Sequence, residues 1–146
     1  MITVRNLLDA KPEALWTIAP HETIFRALEV MAEKDVGALL VVEDERLVGL
    51  FSERDYARRV VLKGRTSRDT KVSELMARDV LYVRPEQSID NCMMLMTARK
   101  VRHLPVLDGR KLIGIVTIGD VVKAVIDHQE VVISELENYI TGGGQG

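Results

Sequence analysis

One cysteine, Cys92, in 146 residues leaves no disulfide possible within the chain, which suits a reducing compartment. Net charge is only −2, so no global field draws the chain to nucleic acid or to an anionic membrane. Long hydrophobic runs are missing too. "GALLVV", residues 37–42, is far short of the roughly 20 residues that span a bilayer. The start, "MITVRNLLDA", lacks the basic flank and apolar core of a secretion signal. Together these absences lead us to expect a soluble intracellular protein, cytoplasmic or in an organelle matrix. His21, His103 and His128 have no metal-ligand spacing and no carboxylate cluster to join them, so no metal is expected. Nucleophilic catalysis needs a serine or cysteine with a positioned base. Cys92 falls on the apolar face of an expected helix and reads as a core residue, so no catalytic set is expected.

What is present is an internal repeat. The length fits one compact domain, or two small halves sharing a core, and 47% hydrophobic with 29% charged residues is ordinary for a globular protein. Shifted by 65, residues 20–60 lie on 85–125 without a gap, and 10 of 41 positions are identical. Upstream, "VRNLL" (4–8) resembles "VSELM" (72–76). Two copies suit two halves packed on each other, because neither buries its apolar face alone.

Each copy spells the same elements. "LWTIAP" and "VLYVRP" are short apolar runs stopped by proline and read as strands. Thr23 and Ser88 stand where a helix N-cap belongs, followed at helical spacing by Ile24, Ala27, Leu28 and Met31, and by Ile89, Cys92, Met93 and Met96. Two apolar runs joined by "EDE" or "DGR" then signal a hairpin, and a second helix follows Asp55 or Asp120. The fold class is therefore mixed α/β (α+β): two β-α-β-β-α repeats packed as a pseudo-twofold pair. We divide the chain into 1–62, the first repeat; 63–71, a polar and basic linker; 72–140, the second repeat with an extended last helix; and 141–146, a flexible glycine-rich tail.

"GLFSERD" (49–55) and "GIVTIGD" (114–120) share a glycine, two apolar residues, a hydroxyl residue and an aspartate. Ser52 with Asp55, and Thr117 with Asp120, fit a capping box, which explains hydroxyl and acid but not Gly49 and Gly114 inside apolar strands. The other reading is a ligand site. A strand ending at a helix N-terminus suits phosphate, and a carboxylate one turn in accepts from both hydroxyls of a ribose. Arg54 adds a planar donor for phosphate; the second copy has Gly119 there, with Arg102 and His103 where the first has Gly37 and Ala38.

The doubled unit, its two motifs and "VRHLPV" (101–106) together resemble a tandem pair of CBS domains, the Bateman module, over about residues 4–127. With no catalytic domain attached, the chain is similar to stand-alone CBS-pair proteins of bacteria and plant organelles. The resemblance implies two clefts between the halves that bind an adenosine-containing ligand (AMP, ADP, ATP, NAD(H) or S-adenosylmethionine), and a homodimer in the form of a flat disc. Carried over, it puts Asp55 and Asp120 on ribose hydroxyls and Ser52 and Thr117 beside ribose and phosphate. Thr17, Ile18 and Ala19, like Tyr82, Val83 and Arg84, would pass an adenine edge through backbone groups. Val36, Gly37 and Ala38 would form one set of walls; Val101, Arg102, His103, Leu104 and Pro105 would form the other. Arg54, Arg102 and His103 are the phosphate candidates, and Asp120→Ala is expected to weaken binding sharply.

The expected function is a regulatory sensor of energy or redox state that signals to a partner protein. The alternative is a scaffold or dimerisation module whose two motifs survive as helix caps. An enzyme acting on nucleotides lacks a visible general base, and nucleic-acid binding through residues 58–68 is opposed by the net charge. That basic run reads as a solvated linker, or as help in gathering polyphosphate. Ile133, Leu136 and Ile140 continue the apolar spacing beyond the repeat, packing either on their own module or on a second subunit.

Overall fold

The computed structural model describes residues 1–11 and 15–142. The chain runs α1 (Val4–Ala10), β1 (Thr17–Ile18), α2 (Ile24–Lys34), β2 (Ala38–Glu43), β3 (Arg46–Ser52) and α3 (Glu53–Asp55), which passes into a π-helical stretch at Tyr56–Val61. The second copy follows as α4 (Val72–Leu75), α5 (Ile89–Arg99), β4 (His103–Asp108), β5 (Lys111–Thr117) and the long α6 (Ile118–Glu137), with a π-helical end at Asn138–Gly142. Of the glycine-rich tail expected at 141–146, residues 143–146 lie outside the described residues.

The elements form for local reasons that recur 65 residues apart. Thr23 Oγ1 accepts from Arg26 N at 3.1 Å and Ser88 Oγ from Asn91 N at 3.2 Å, so both expected N-caps hold. Both helices end on a left-handed residue, Asp35 at φ 55° and Lys100 at φ 54°. β2 and β3 pair antiparallel, as do β4 and β5, with a register slip at the same place, Val41/Val42 and Val106/Leu107. The copies differ at the first strand. β1 pairs parallel with β2, but "VLYVRP" does not form a strand and keeps only a parallel bridge, Val83 to Val106. Pro105 has no N–H, yet its carbonyl accepts from Val83 N at 2.9 Å, and that contact holds the bridge.

Each half has its own core, and each core borrows from the other repeat. Val4 is fully buried with Val83, Cys92, Leu104, Val116 and Val121 of the second copy. Val72 is fully buried with Ile24, Leu39, Val41 and Phe51 of the first. The backbone follows the same exchange. Val4 N donates to Gln87 O at 2.8 Å and Arg5 N to Pro85 O at 2.9 Å; Val72 N donates to Glu22 O at 2.8 Å and Ser73 N to Pro20 O at 2.9 Å. The short helices α1 and α4 are thus swapped between halves, and neither core closes without the other copy's start.

The exchange accounts for the two unexplained glycines. A Cβ on Gly49 would meet Met76 Sδ at 2.5 Å and Ala77 O at 2.9 Å, and one on Gly114 would meet Leu8 Cδ2 at 2.7 Å. Something does approach each strand closely, but it is the swapped helix rather than a ligand.

Other readings of the sequence are narrowed. The segment 63–71 is largely exposed but docks on the first repeat: Ser67 O and Thr70 O accept from Phe25 N and Ile24 N at 2.9 Å each, Arg68 stacks on the Phe25 ring at 4.0 Å, and Thr70 is buried. Arg65 is tied to Glu74 at 2.6 Å. Ile133, Leu136 and Ile140 do not pack on their own module; they are 53%, 55% and 77% exposed. Cys92 is buried as expected, and burial pushes its thiol pKa up, which keeps it unreactive. No helix among the described residues is long and apolar enough to cross a membrane.

Candidate functional site

Two clefts lie where the halves meet, and residues 65 apart take matching places in them. The larger has a volume of about 840 Å³ and the smaller about 240 Å³. Ser52, Asp55, Val101, Arg102 and His103 line the larger. Their counterparts Thr117, Asp120, Val36, Gly37 and Ala38 line the smaller. Each aspartate therefore faces the wall supplied by the opposite repeat. Gly37, His103 and Thr117 line both clefts.

Both motifs are capping boxes. Asp55 Oδ2 accepts from Ser52 N at 3.0 Å and Ser52 Oγ at 2.9 Å, and Asp55 N donates back to Ser52 Oγ at 3.2 Å. Asp120 Oδ2 accepts from Thr117 N at 2.9 Å, and Asp120 N donates to Thr117 Oγ1 at 3.1 Å. Capping engages one carboxylate oxygen of each; the other is aimed elsewhere, and capping and ligand binding are compatible.

The charges are divided unequally. Arg54, Arg102 and His103, expected on phosphate from different copies, converge on the larger cleft. Arg58 and Arg59, from the basic run read alternatively as help in gathering polyphosphate, join them, and so does Lys100, which the sequence did not single out. Arg54 Nη1 donates to Lys100 O at 3.3 Å, bridging the two repeats across this cleft. Arg59 Nε stands 3.9 Å from Asp55 Oδ1 and its Nη1 donates to Leu75 O at 3.2 Å. Arg58 and Arg59 were legible in principle, since they follow Asp55 by three and four residues and share its helix face.

The smaller cleft has one strong cation, Lys11. Its Nζ donates to Asp120 Oδ2 at 2.8 Å and to Ile115 O at 3.0 Å. Burial of the Asp120 carboxyl works to raise its pKa, but hydrogen bonds from Lys11 and Thr117 outweigh it and hold the group below the usual carboxylate value. Burial, then the charges of Arg102 and Lys11, push the His103 pKa down, with Asp120 opposing, so the imidazole is neutral at pH 7. Trp16 and Asp35 complete this cleft; neither, nor Lys11, was singled out from the sequence.

The remaining candidates do not line either cleft. Val83 and Leu104 are fully buried in the second core and Ile18 is buried in the first. Val83 donates to Pro105 O and accepts from Leu107 N, so its backbone has no group left for an adenine edge. Arg84 N donates to Gln87 Oε1 and its carbonyl accepts from Gln87 N; Ala19 O accepts from Glu22 N. Thr17 is in β1, Tyr82 is 43% exposed with Arg84 over its ring, and Pro105 is in β4 with its carbonyl on Val83.

Two strand–helix halves that exchange their first helices, with a cleft on either side of their junction, define a tandem two-repeat module. The chain belongs to the CBS-domain family, whose model matches residues 4–62 and 72–127. It is 39% identical to the mitochondrial CBS domain-containing protein CBSX3 of Arabidopsis thaliana, over 97% of this chain and 73% of that one. A putative signal-transduction protein with CBS domains from Burkholderia ambifaria superposes with a TM-score of 0.84 at 51% identity, covering 87% of this chain and 96% of that one. CBSX2, solved in complex with AMP, superposes with a TM-score of 0.74 at 29% identity, covering 87% and 98%. Among the described residues no group of three or more His, Cys, Asp or Glu is placed to hold a metal ion.

Proposed function

We propose that this chain is a regulatory sensor that takes an adenosine nucleotide in the larger cleft and passes the bound state to a partner protein. The observation that carries this reading is the convergence of Arg54, Arg58, Arg59, Lys100 and Arg102 on one cleft, beside the Asp55 carboxylate. The cations suit a phosphate chain and the carboxylate suits a ribose diol. A polyphosphate or pyrophosphate ligand (ATP, ADP or NAD(H)) fits this charge better than AMP, and far better than S-adenosylmethionine with its cationic sulfonium. The AMP held by CBSX2 supports the adenosine class.

The mechanism follows from who supplies the walls. Asp55, Arg58 and Arg59 come from the first repeat; Lys100, Arg102 and His103 come from the second. A ligand touching both holds them in one arrangement, and it shifts an equilibrium only by its differential affinity for two arrangements. Exposed Val122, Ile126, Ile133 and Leu136 on α6 suit a homodimer contact through which the state is passed on. The single buried cysteine suits a reducing compartment, cytoplasm or organelle matrix.

A second reading is favoured by the capping boxes: a scaffold or dimerisation module in which both aspartates serve only as caps. Thermal unfolding against AMP, ADP, ATP, NAD, NADH, S-adenosylmethionine and GMP separates the two. Ligand at about a hundred times its dissociation constant adds roughly 2.7 kcal/mol, a rise of several degrees for a chain this long. We expect the rise with ATP and ADP, its loss in Asp55→Ala, and unchanged ATP after long incubation. No rise with any adenosine compound leaves the scaffold.

A further inference from the structure

The smaller cleft is not a reduced copy of the larger. The two swapped helices align at an offset of 68, Val4 on Val72 and Leu8 on Met76. The counterpart of Lys11 at that offset is Asp79. So only one of the two motif aspartates receives a lysine, and the one that does is contacted by a residue brought in on the swapped helix. Lys11 and Asp120 are only 16% and 24% exposed, and the ammonium is also held by Ile115 O. That is a satisfied, largely desolvated pair inside a cleft of about 240 Å³; the ammonium sits on Oδ2, the oxygen that also caps the helix, so a ribose diol that takes both carboxylate oxygens must displace it.

We propose that Lys11 is a built-in occupant of the smaller cleft, barring a nucleoside ribose from Asp120, so that the chain takes its nucleotide in the larger cleft alone. The proposal rests on the nucleotide reading above and adds to it a one-site stoichiometry and the residue that sets it. It also moves the decisive carboxylate from Asp120, singled out in the sequence, to Asp55.

The chain supplies its own reporter. Trp16, the single tryptophan, lines the smaller cleft and not the larger. The probe is adenosine, which carries no charge for Asp35 or Asp120 to repel. Titrated into the full chain, it should leave Trp16 emission unmoved in the native protein and in Lys11→Arg. In Lys11→Met the emission should change saturably, with a midpoint at least tenfold lower than any change in the native protein, and Lys11→Met with Asp120→Ala should lose it. Near-equal midpoints in the native chain and Lys11→Met overturn the proposal, as does a Lys11→Met variant whose emission does not respond. Failure of the underlying nucleotide reading shows separately, as the absence of an ATP-dependent thermal shift in the native chain. A Trp16 response that appears only in Lys11→Met upholds the role of Lys11 even then.

Discussion

Leu8 rests on Gly114 so closely that a Cβ added to the glycine would come within 2.7 Å of Leu8 Cδ2. Gly49 carries Met76 and Ala77 in the same way, with the Ala77 carbonyl at 2.9 Å. At Gly114 only the end of a side chain must yield. At Gly49 backbone must move, and Leu50 N is bonded to that same Ala77 carbonyl at 3.0 Å. Overpacking costs typically about 1–3 kcal/mol, so Gly49→Ala should lie at the upper end and Gly114→Ala at the lower. In denaturant melts Leu8→Ala should recover part of the loss in Gly114→Ala and none in Gly49→Ala. Equal losses without that rescue would mean that helix seating is not why the glycines are there.

Much of the fold was legible because its signals are local. N-caps at Thr23 and Ser88, helical spacing to Met31 and Met96, and the hairpins are written within a few residues of where they act. The swap of α1 and α4 was not, because a seven-residue helix looks the same whichever core it enters. From that one omission followed the misreading of the glycines as a ligand signal. The clefts divide likewise. Asp55 with Ser52 was legible as a spacing. The gathering of Arg54 with Arg102 depends on which half faces which, and Lys11 reaches Asp120 across 109 residues with no local mark. Leu104 stands next to His103 in sequence, but side chains alternate along β4 and its own turns into the core.

The β2–β3 turn holds a local conflict. Asp44 and Glu45 both have positive φ, 50° and 64°, the conformation of a two-residue hairpin turn that prefers glycine or asparagine. Left-handed backbone costs a residue with a Cβ roughly 1–2 kcal/mol. Glu45→Gly makes the turn Asp-Gly and should stabilise the chain by about 1 kcal/mol, raising the melting temperature by a few degrees. A lower melting temperature would show that the Glu45 side chain contributes more than its backbone costs.

The Lys11–Asp120 pair gives stability a defined pH dependence. The folded carboxyl lies below its ordinary value of 3.8, so the folded state binds fewer protons there than the unfolded one. The stabilisation is fully present above that ordinary value and is lost as pH falls through the folded one. A charge-assisted hydrogen bond of this kind contributes roughly 1.5–3 kcal/mol, and Lys11→Met should lower the melting temperature by several degrees near pH 7. The gap between the two proteins should narrow steadily from pH 5 to pH 2. A gap of constant size would mean that Lys11 stabilises by packing its methylenes rather than by its charge.

His103 lines both clefts, and its depressed pKa makes it a proton-linked contact. Its folded value lies below the ordinary 6.5, so the neutral ring favours the folded state above that pH, and this contribution is lost as pH falls through the folded value. Burial, the main cause, persists, but the negative charge of a phosphate chain in the larger cleft offsets that of Arg102 and moves the imidazole pKa up. Binding ATP should then take up a proton in the weakly acidic range, and affinity should rise as pH falls from 7.5 to 5.5. Calorimetry in two buffers of different ionisation enthalpy reads that uptake directly. ATP changes its own protonation in the same range, so the decisive quantity is the difference between the native chain and His103→Gln. Uptake that is unchanged in His103→Gln would assign it to the nucleotide and place the phosphates away from His103, toward Arg58 and Arg59.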